Sequence, residues 1–155
     1  MSGSLEVGSK APDFSCAADG DRRISLADYA GKKLVIYFYP KDDTPGCTAE
    51  AIEFTAQAGA FAATNTEIVG VSADSVEKHG KFKTKHNLGV TLLSDPDQKM
   101  LQAYGVWVEK NMYGKKYMGI ERATFLVGED GKILNIWRKV RVKGHVDAVL
   151  ETVGA

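Results

Sequence analysis

The sequence predicts an α/β sandwich, a central mixed β-sheet flanked by helices with a small β-hairpin added at the amino-terminal end. Three observations carry that prediction. Leu34-Val35-Ile36-Tyr37-Phe38-Tyr39 is a continuous apolar run of branched and aromatic residues, as a strand buried on both faces requires. An Ala-rich stretch and then a β-type run from Thr66 to Ser72 follow it, and a strand, helix and strand in that order imply a right-handed crossover and a parallel pair. Ala123 to Val127 and Ile133 to Trp137 flank Gly128-Glu129-Asp130-Gly131-Lys132, whose Asp-Gly is a hairpin signal, so these two runs should pair antiparallel.

The remaining elements follow in chain order. Asp13 to Ala17 and Arg22 to Leu26, around Asp19-Gly20-Asp21, form the extra hairpin. From about Thr48 to Ala63, Phe54, Ala58 and Phe61 recur at i, i+4 and i+7 and mark a helix packed on the sheet. Asp74-Ser75-Val76-Glu77 has the Asp-x-x-Glu form of a capping box, opening a helix toward His86 that Asn87-Leu88-Gly89 closes. Asp95-Pro96 starts another short helix, with Gly105 past its end. From Gly144 onward Val146, Val149, Leu150 and Val153 share one face of a closing amphipathic helix. No repeat, low-complexity stretch or linker divides the chain, so residues 1–155 read as a single domain.

Composition excludes several classes of function. With 20 basic and 20 acidic side chains the net charge is zero, so neither nucleic acid nor an anionic membrane is indicated as partner, and small neutral substrates fit better. Met1-Ser2-Gly3-Ser4-Leu5-Glu6 lacks the basic and apolar regions of a signal peptide, and no later apolar run reaches membrane-spanning length. The expected location is the cytoplasm. Only Cys16 and Cys47 occur, which suits a reducing compartment where a thiol is kept for chemistry.

Tyr39-Pro40-Lys41-Asp42-Asp43-Thr44-Pro45-Gly46-Cys47-Thr48-Ala49-Glu50 places Cys47 behind a strand and at the mouth of a helix. Free backbone N–H groups and the positive end of the helix dipole favour a charged sulfur there. A dithiol exchange motif needs Cys-x-x-Cys, and its first position is Thr44, so exchange through that pair is excluded. The Thr44 hydroxyl suits hydrogen bonding to an oxygen-bearing substrate, which points to oxidation chemistry with peroxide as the electrophile. Arg122 is the candidate cationic partner, because arginine keeps its charge and presents a fork of donors. It opens the run Arg122 to Val127, whose start faces the Cys47 loop if that strand lies beside Leu34 to Tyr39; taken alone, it reads as an exposed surface arginine. Cys16 reads as a buried free cysteine.

Other signals carry less. His79, His86 and His145 are scattered without Cys or carboxylate at ligand spacing and read as surface residues; neither a metal site nor a Cys–His protease site is supported. Neither Gly70-Val71-Ser72 nor Gly128 to Gly131 has the spacing of a phosphate-binding loop. Trp107, Tyr113 and Tyr117 read as loop aromatics packing in a satellite core, without substrate contacts.

At these residues the chain resembles the peroxiredoxins, and among them the peroxiredoxin Q or bacterioferritin comigratory protein group. The match runs from Gly8-Ser9-Lys10-Ala11-Pro12-Asp13-Phe14 through Tyr37 to Cys47, to Tyr104-Gly105-Val106-Trp107 and Tyr117 to Leu126, nearly the whole chain. The resemblance implies a thioredoxin-like fold with an amino-terminal extension, and a thiol peroxidase for hydrogen peroxide and organic hydroperoxides with no metal or organic cofactor. It implies Cys47 as the peroxidatic thiol, Thr44 as hydrogen-bond partner of the substrate oxygen, Pro40 as a shield of the site, Arg122 as support for thiolate and transition state, and Glu50 as part of the local network. The group often carries a resolving cysteine five residues after the peroxidatic one, where this chain has Ile52, or on the following helix, where it has Lys81-Phe82-Lys83-Thr84. A one-cysteine mechanism is therefore expected, with an external thiol as reductant (thioredoxin, glutaredoxin or a low-molecular-weight thiol). The alternatives are resolution by Cys16 and a non-catalytic redox sensor or holdase. A monomer is the expected state by resemblance.

Overall fold

The structure is a computed structural model that describes residues 5–154. The reading of a missing signal segment rests partly on residues 1–4, outside the described residues. β3 (Lys33–Phe38) is the central strand, and its alternation builds two cores. Leu34, Ile36 and Phe38 belong to one buried cluster; Val35 and Tyr37, with Tyr39 just beyond the strand, belong to the other. A strand buried on both faces needs no polar alternation, which is why the run is uniformly apolar.

Around it lie β1 (Ser15–Ala18), β2 (Arg22–Ser25), β4 (Thr66–Ser72), β5 (Thr91–Ser94), β8 (Ala123–Val127) and β9 (Ile133–Trp137), in the order β2-β1-β5-β4-β3-β8-β9. β3 pairs parallel with β4 and antiparallel with β8, and β8 with β9 forms the expected hairpin. This mixed sheet between two helical layers is the thioredoxin-like arrangement, and the β1–β2 hairpin extends one edge through β5. β5 went unread in the sequence because four residues are too short to separate from a loop.

α1 (Pro45–Ala62), α2 (Val76–His86) and α4 (His145–Gly154) contribute Phe54 and Phe61, Phe82, and Val146, Val149 and Val153 to the Tyr37 side of the sheet. α3 (Lys99–Ala103) gives Met100 and Leu101 to the other side. Close packing decides one glycine: a Cβ on Gly70 would lie 2.6 Å from Tyr37 Cζ, so only glycine leaves room for that ring across the β3–β4 pair. Among the described residues no helix is long and apolar enough to cross a membrane.

Four local readings are corrected. α1 begins at Pro45, whose fixed φ suits the first helical position, so Cys47 lies inside the first turn instead of before it. α2 is capped by Ser75, which accepts from Lys78 N at 3.2 Å; Asp74 is engaged elsewhere. α3 starts only at Lys99, because Gln98 adopts a left-handed φ of 59° and Asp95 instead accepts from Leu101 N at 2.8 Å. The segment expected as an aromatic loop is a separate two-stranded hairpin, β6 (Trp107–Met112) and β7 (Lys115–Ile120), turning through Tyr113 and Gly114 at positive φ. Trp107 does pack against the core, but Tyr113 is 98 % exposed and Tyr117 44 %, so neither is satellite core.

Candidate active site

β3 delivers the chain at Tyr39 to a loop over Pro40–Thr44, and α1 returns it along the sheet. Cys47 is the third residue of α1, where backbone N–H groups have no intrahelical acceptor, and it is buried at 1 % exposure. The Phe38–Ala123 register puts Arg122, the residue just before β8, beside the end of β3. The reading of a strand that presents Arg122 to the Cys47 loop therefore holds, and the surface-arginine alternative fails. Arg122 Nη2 donates toward Cys47 Sγ at 3.4 Å and Nη1 donates to Glu50 Oε1 at 2.7 Å.

Glu50 lies one turn after Cys47 on the same face of α1 and is fully buried. Its Oε2 has no partner among the described residues. Burial pushes its carboxyl up to about 7, against the opposing pull of Arg122. Burial also works against the Arg122 charge, but Glu50 and Cys47 outweigh it and hold that group up. The guanidinium thus sits between two groups that favour its charge. Gly46 gives it room, since a Cβ there would lie 3.1 Å from Arg122 Nη2.

Thr44 Oγ1 donates to Lys41 O at 2.8 Å, which uses its proton and leaves oxygen lone pairs to accept from a hydroxyl. Pro40 is half-buried and opens the loop. The structure thus brings Cys47, Arg122 and Glu50 into contact beyond the carboxyl end of β3, while Pro40 opens and Thr44 closes the loop that leads into α1.

The sequence missed what holds this loop. Tyr39 Oη donates to Asp42 Oδ1 at 2.6 Å, and His79 Nδ1 meets Asp42 Oδ2 at 2.7 Å while its Nε2 meets Leu93 O at 2.8 Å. Asp42 N donates to Asp74 Oδ2 at 2.8 Å, and Asp43 binds Lys85 Nζ and His86 Nε2. Two of the three histidines are not surface residues: His79 is fully buried and His145 is 6 % exposed. His145 Nε2 meets Thr124 Oγ1 at 2.7 Å, and burial, then the Arg122 charge, lowers its pKa to about 4. Only the acidity of the 42–43 pair hinted at this network, because, Tyr39 apart, its partners are 32 to 43 residues further along the chain.

Cys16 lies in the other core, its Sγ 3.8 Å from Met100 Sδ, and burial foremost pushes its thiol up to about 11. It is a buried free cysteine as expected. From β1 to β3 is three strand spacings, about 14 Å, with the sheet between the two sulfurs, against the ~7 Å limit for the Cα atoms of a disulfide. A cavity of about 510 Å³ borders Cys16, Asp95 and Met100, but Cys47 does not line it. Ile52 is 44 % exposed on α1, and Lys81, Phe82, Lys83 and Thr84 on α2 bring no sulfur.

Residues 7–136 match the AhpC/TSA family. Peroxiredoxin Bcp of Bacillus subtilis is 51 % identical over 149 residues, 96 % of this chain and 95 % of that one. Among solved structures, the Xanthomonas campestris bacterioferritin comigratory protein, studied for its alkyl peroxide reduction activity, superposes with a TM-score of 0.90 at 42 % identity, covering 96 % of this chain and 98 % of its own. A PrxQ mutant of Xylella fastidiosa gives a TM-score of 0.93 at 36 % identity, covering 98 % and 97 %.

Proposed function

Since this chain belongs to the AhpC/TSA family and is a peroxiredoxin of the Q/Bcp group, a thiol-dependent peroxidase, we propose that Cys47 is its peroxidatic thiol and that one cysteine suffices for its cycle. The Cys47–Arg122–Glu50 contact carries this reading. The Cys47 thiolate attacks the nearer oxygen of hydrogen peroxide or an organic hydroperoxide in line with the O–O bond. An S–O bond forms as O–O breaks, leaving a sulfenic acid, and the departing oxygen takes a proton to leave as water or an alcohol.

Arg122, anchored on Glu50, keeps a donor directed at the sulfur and at the charge passing to the peroxide oxygens. Thr44 accepts from the hydroperoxide O–H, which aligns the attacked oxygen. Pro40 shields the sulfur from bulk water. With Cys16 behind the sheet, an external thiol attacks the sulfenic acid, releasing water and forming a mixed disulfide, and a second thiol frees Cys47. The cycle fits a monomeric, single-domain enzyme of the reducing cytoplasm and calls on no metal or organic cofactor.

The test is the intact mass of the reduced protein after one equivalent of hydrogen peroxide without reductant, beside Cys47→Ser. Gain of one oxygen, absent from the variant, is expected. Loss of two hydrogens would mean that Cys16 resolves Cys47, and no rapid change would overturn the assignment of Cys47.

A further inference from the structure

Net charge is zero over the chain, but it is not evenly spread. Residues 138–143 carry Arg138, Lys139, Arg141 and Lys143 with no acid, and residues 107–122 carry Lys110, Lys115, Lys116 and Arg122 against Glu109 and Glu121. Both segments border the Cys47 site. Glu121 N donates to Val106 O at 2.8 Å, closing the base of the β6–β7 hairpin beside Arg122. Val140 N donates to Arg122 O at 3.0 Å, and Val142 Cγ2 lies 3.9 Å from where a Cβ of Gly46 would be.

The register of the hairpin sorts its two faces. Val108, Lys110, Met112, Lys115, Tyr117 and Gly119 share one; Glu109 and Lys116, paired at 3.9 Å, are on the other. Lys110 lies along Gly119, with its Cδ 3.2 Å from a Cβ placed there. Burial and then Arg122 push the Lys110 ammonium down while Cys47 pulls it up, as expected of a group within electrostatic reach of the site. The Lys110 face runs back through Gly119 to the Arg122 end of the hairpin. It holds two cations, no acid, and Met112 and Tyr117 at 54 % and 44 % exposure. Lys110, Lys115, Lys139, Arg141 and Lys143 form no ion pair among the described residues.

We propose that this hairpin face and the 138–143 loop together form the docking surface for an acidic dithiol protein that reduces Cys47. The inference rests on the one-cysteine reading above. A substrate with one carboxylate needs one cation, whereas five unpaired cations on two segments match an extended acidic surface. Exposed Tyr and Met between them are residue types enriched at interface cores. A second copy is disfavoured, because a two-fold contact would set this cationic surface against itself. The chemistry requires the partner to bring sulfur: its first thiol displaces water from the Cys47 sulfenic acid to make a mixed disulfide, and its second thiol takes over that bond, leaving the partner oxidised by two electrons and Cys47 as thiol.

The test uses the full chain and the double variant Lys115→Glu/Arg141→Glu, neither residue touching the reacting atoms. Turnover is driven by an acidic thioredoxin or by dithiothreitol, across a salt series, with single-turnover oxidation of Cys47 followed separately. Expected is a loss of about tenfold or more in kcat/KM for thioredoxin, a steep salt dependence in the wild type that flattens in the variant, and unchanged dithiothreitol turnover and Cys47 oxidation. Unchanged kcat/KM for thioredoxin overturns the proposal, as does an equal loss with dithiothreitol. A loss confined to KM for a long-chain carboxylate hydroperoxide overturns it too, and gives the surface to the substrate. If wild-type Cys47 is not oxidised at all, turnover is absent with both reductants, and the peroxidase reading fails first.

Discussion

Replacing Arg122 with leucine removes the cation in contact with Cys47 and strands Glu50. At the 3.4 Å separation and an effective dielectric of about 20, the bare attraction between a guanidinium and a thiolate is about 5 kcal/mol. Reorganisation and residual solvent return part of it, and donors aimed at developing charge are typically worth about 3–4 kcal/mol. The expected loss in kcat/KM for hydrogen peroxide is therefore about 100- to 1,000-fold. A second consequence separates charge from shape. Arg122 is what holds the buried Glu50 carboxyl down toward 7, so without it Glu50 must stay protonated or be buried as an unpaired anion. Destabilisation of the leucine variant should then be smaller at pH 5.5, where Glu50 is neutral in both proteins, than at pH 8. Stopped-flow tryptophan fluorescence against peroxide, with denaturant melts at the two pH values, reads both effects. A rate within fivefold of wild type, or equal destabilisation at both pH values, would refute the assignment of Arg122 to the charge of this site.

Three further outcomes follow from the same geometry. Glu50 is raised from 4.5 to about 7, so the native state holds the extra proton in that window; its contribution to stability is fully present below 4.5 and lost as pH rises through about 7, a swing of about 3 kcal/mol. Glu50→Gln should flatten that slope in denaturant melts, and because the opposite His145 contribution, between about 6.5 and 4, is common to both proteins, the difference isolates Glu50; parallel pH profiles would count against it. Gly70→Ala drives a Cβ to 2.6 Å from Tyr37 Cζ and should cost about 1–3 kcal/mol or more by overpacking, seen as a lowered Tm, and a neutral result would mean that the ring moves aside at no cost. Asp42→Asn weakens the ties of the Cys47 loop to His79 and should lower kcat/KM for peroxide while leaving kcat with saturating dithiothreitol nearly unchanged; equal losses in both would point to general unfolding instead.

The sequence by itself determined the central strand, the crossover, the β8–β9 hairpin and the closing helix, because each is written in local periodicity: a both-face apolar run, a 3.6-residue stripe, an Asp-Gly turn. It also marked Cys47 and Thr44, since the helix start and the missing second thiol are local facts. The tertiary structure alone decided the rest. Arg122 is 75 residues from Cys47, and only the antiparallel pairing of β3 with β8 carries its guanidinium to the sulfur. His79 and His145 read as surface residues until α2 and α4 pack their polar atoms against Asp42 and Thr124. The β6–β7 hairpin stays hidden in the sequence because it stands off the main sheet, so most of its side chains meet solvent and no burial alternation marks it. Cys16 and Cys47 are two thiols in one line of sequence, and a seven-stranded sheet separates their chemistry. Local signals specify elements; which side chains meet is set by strand order and the burial of two cores, neither of which any short window of residues encodes.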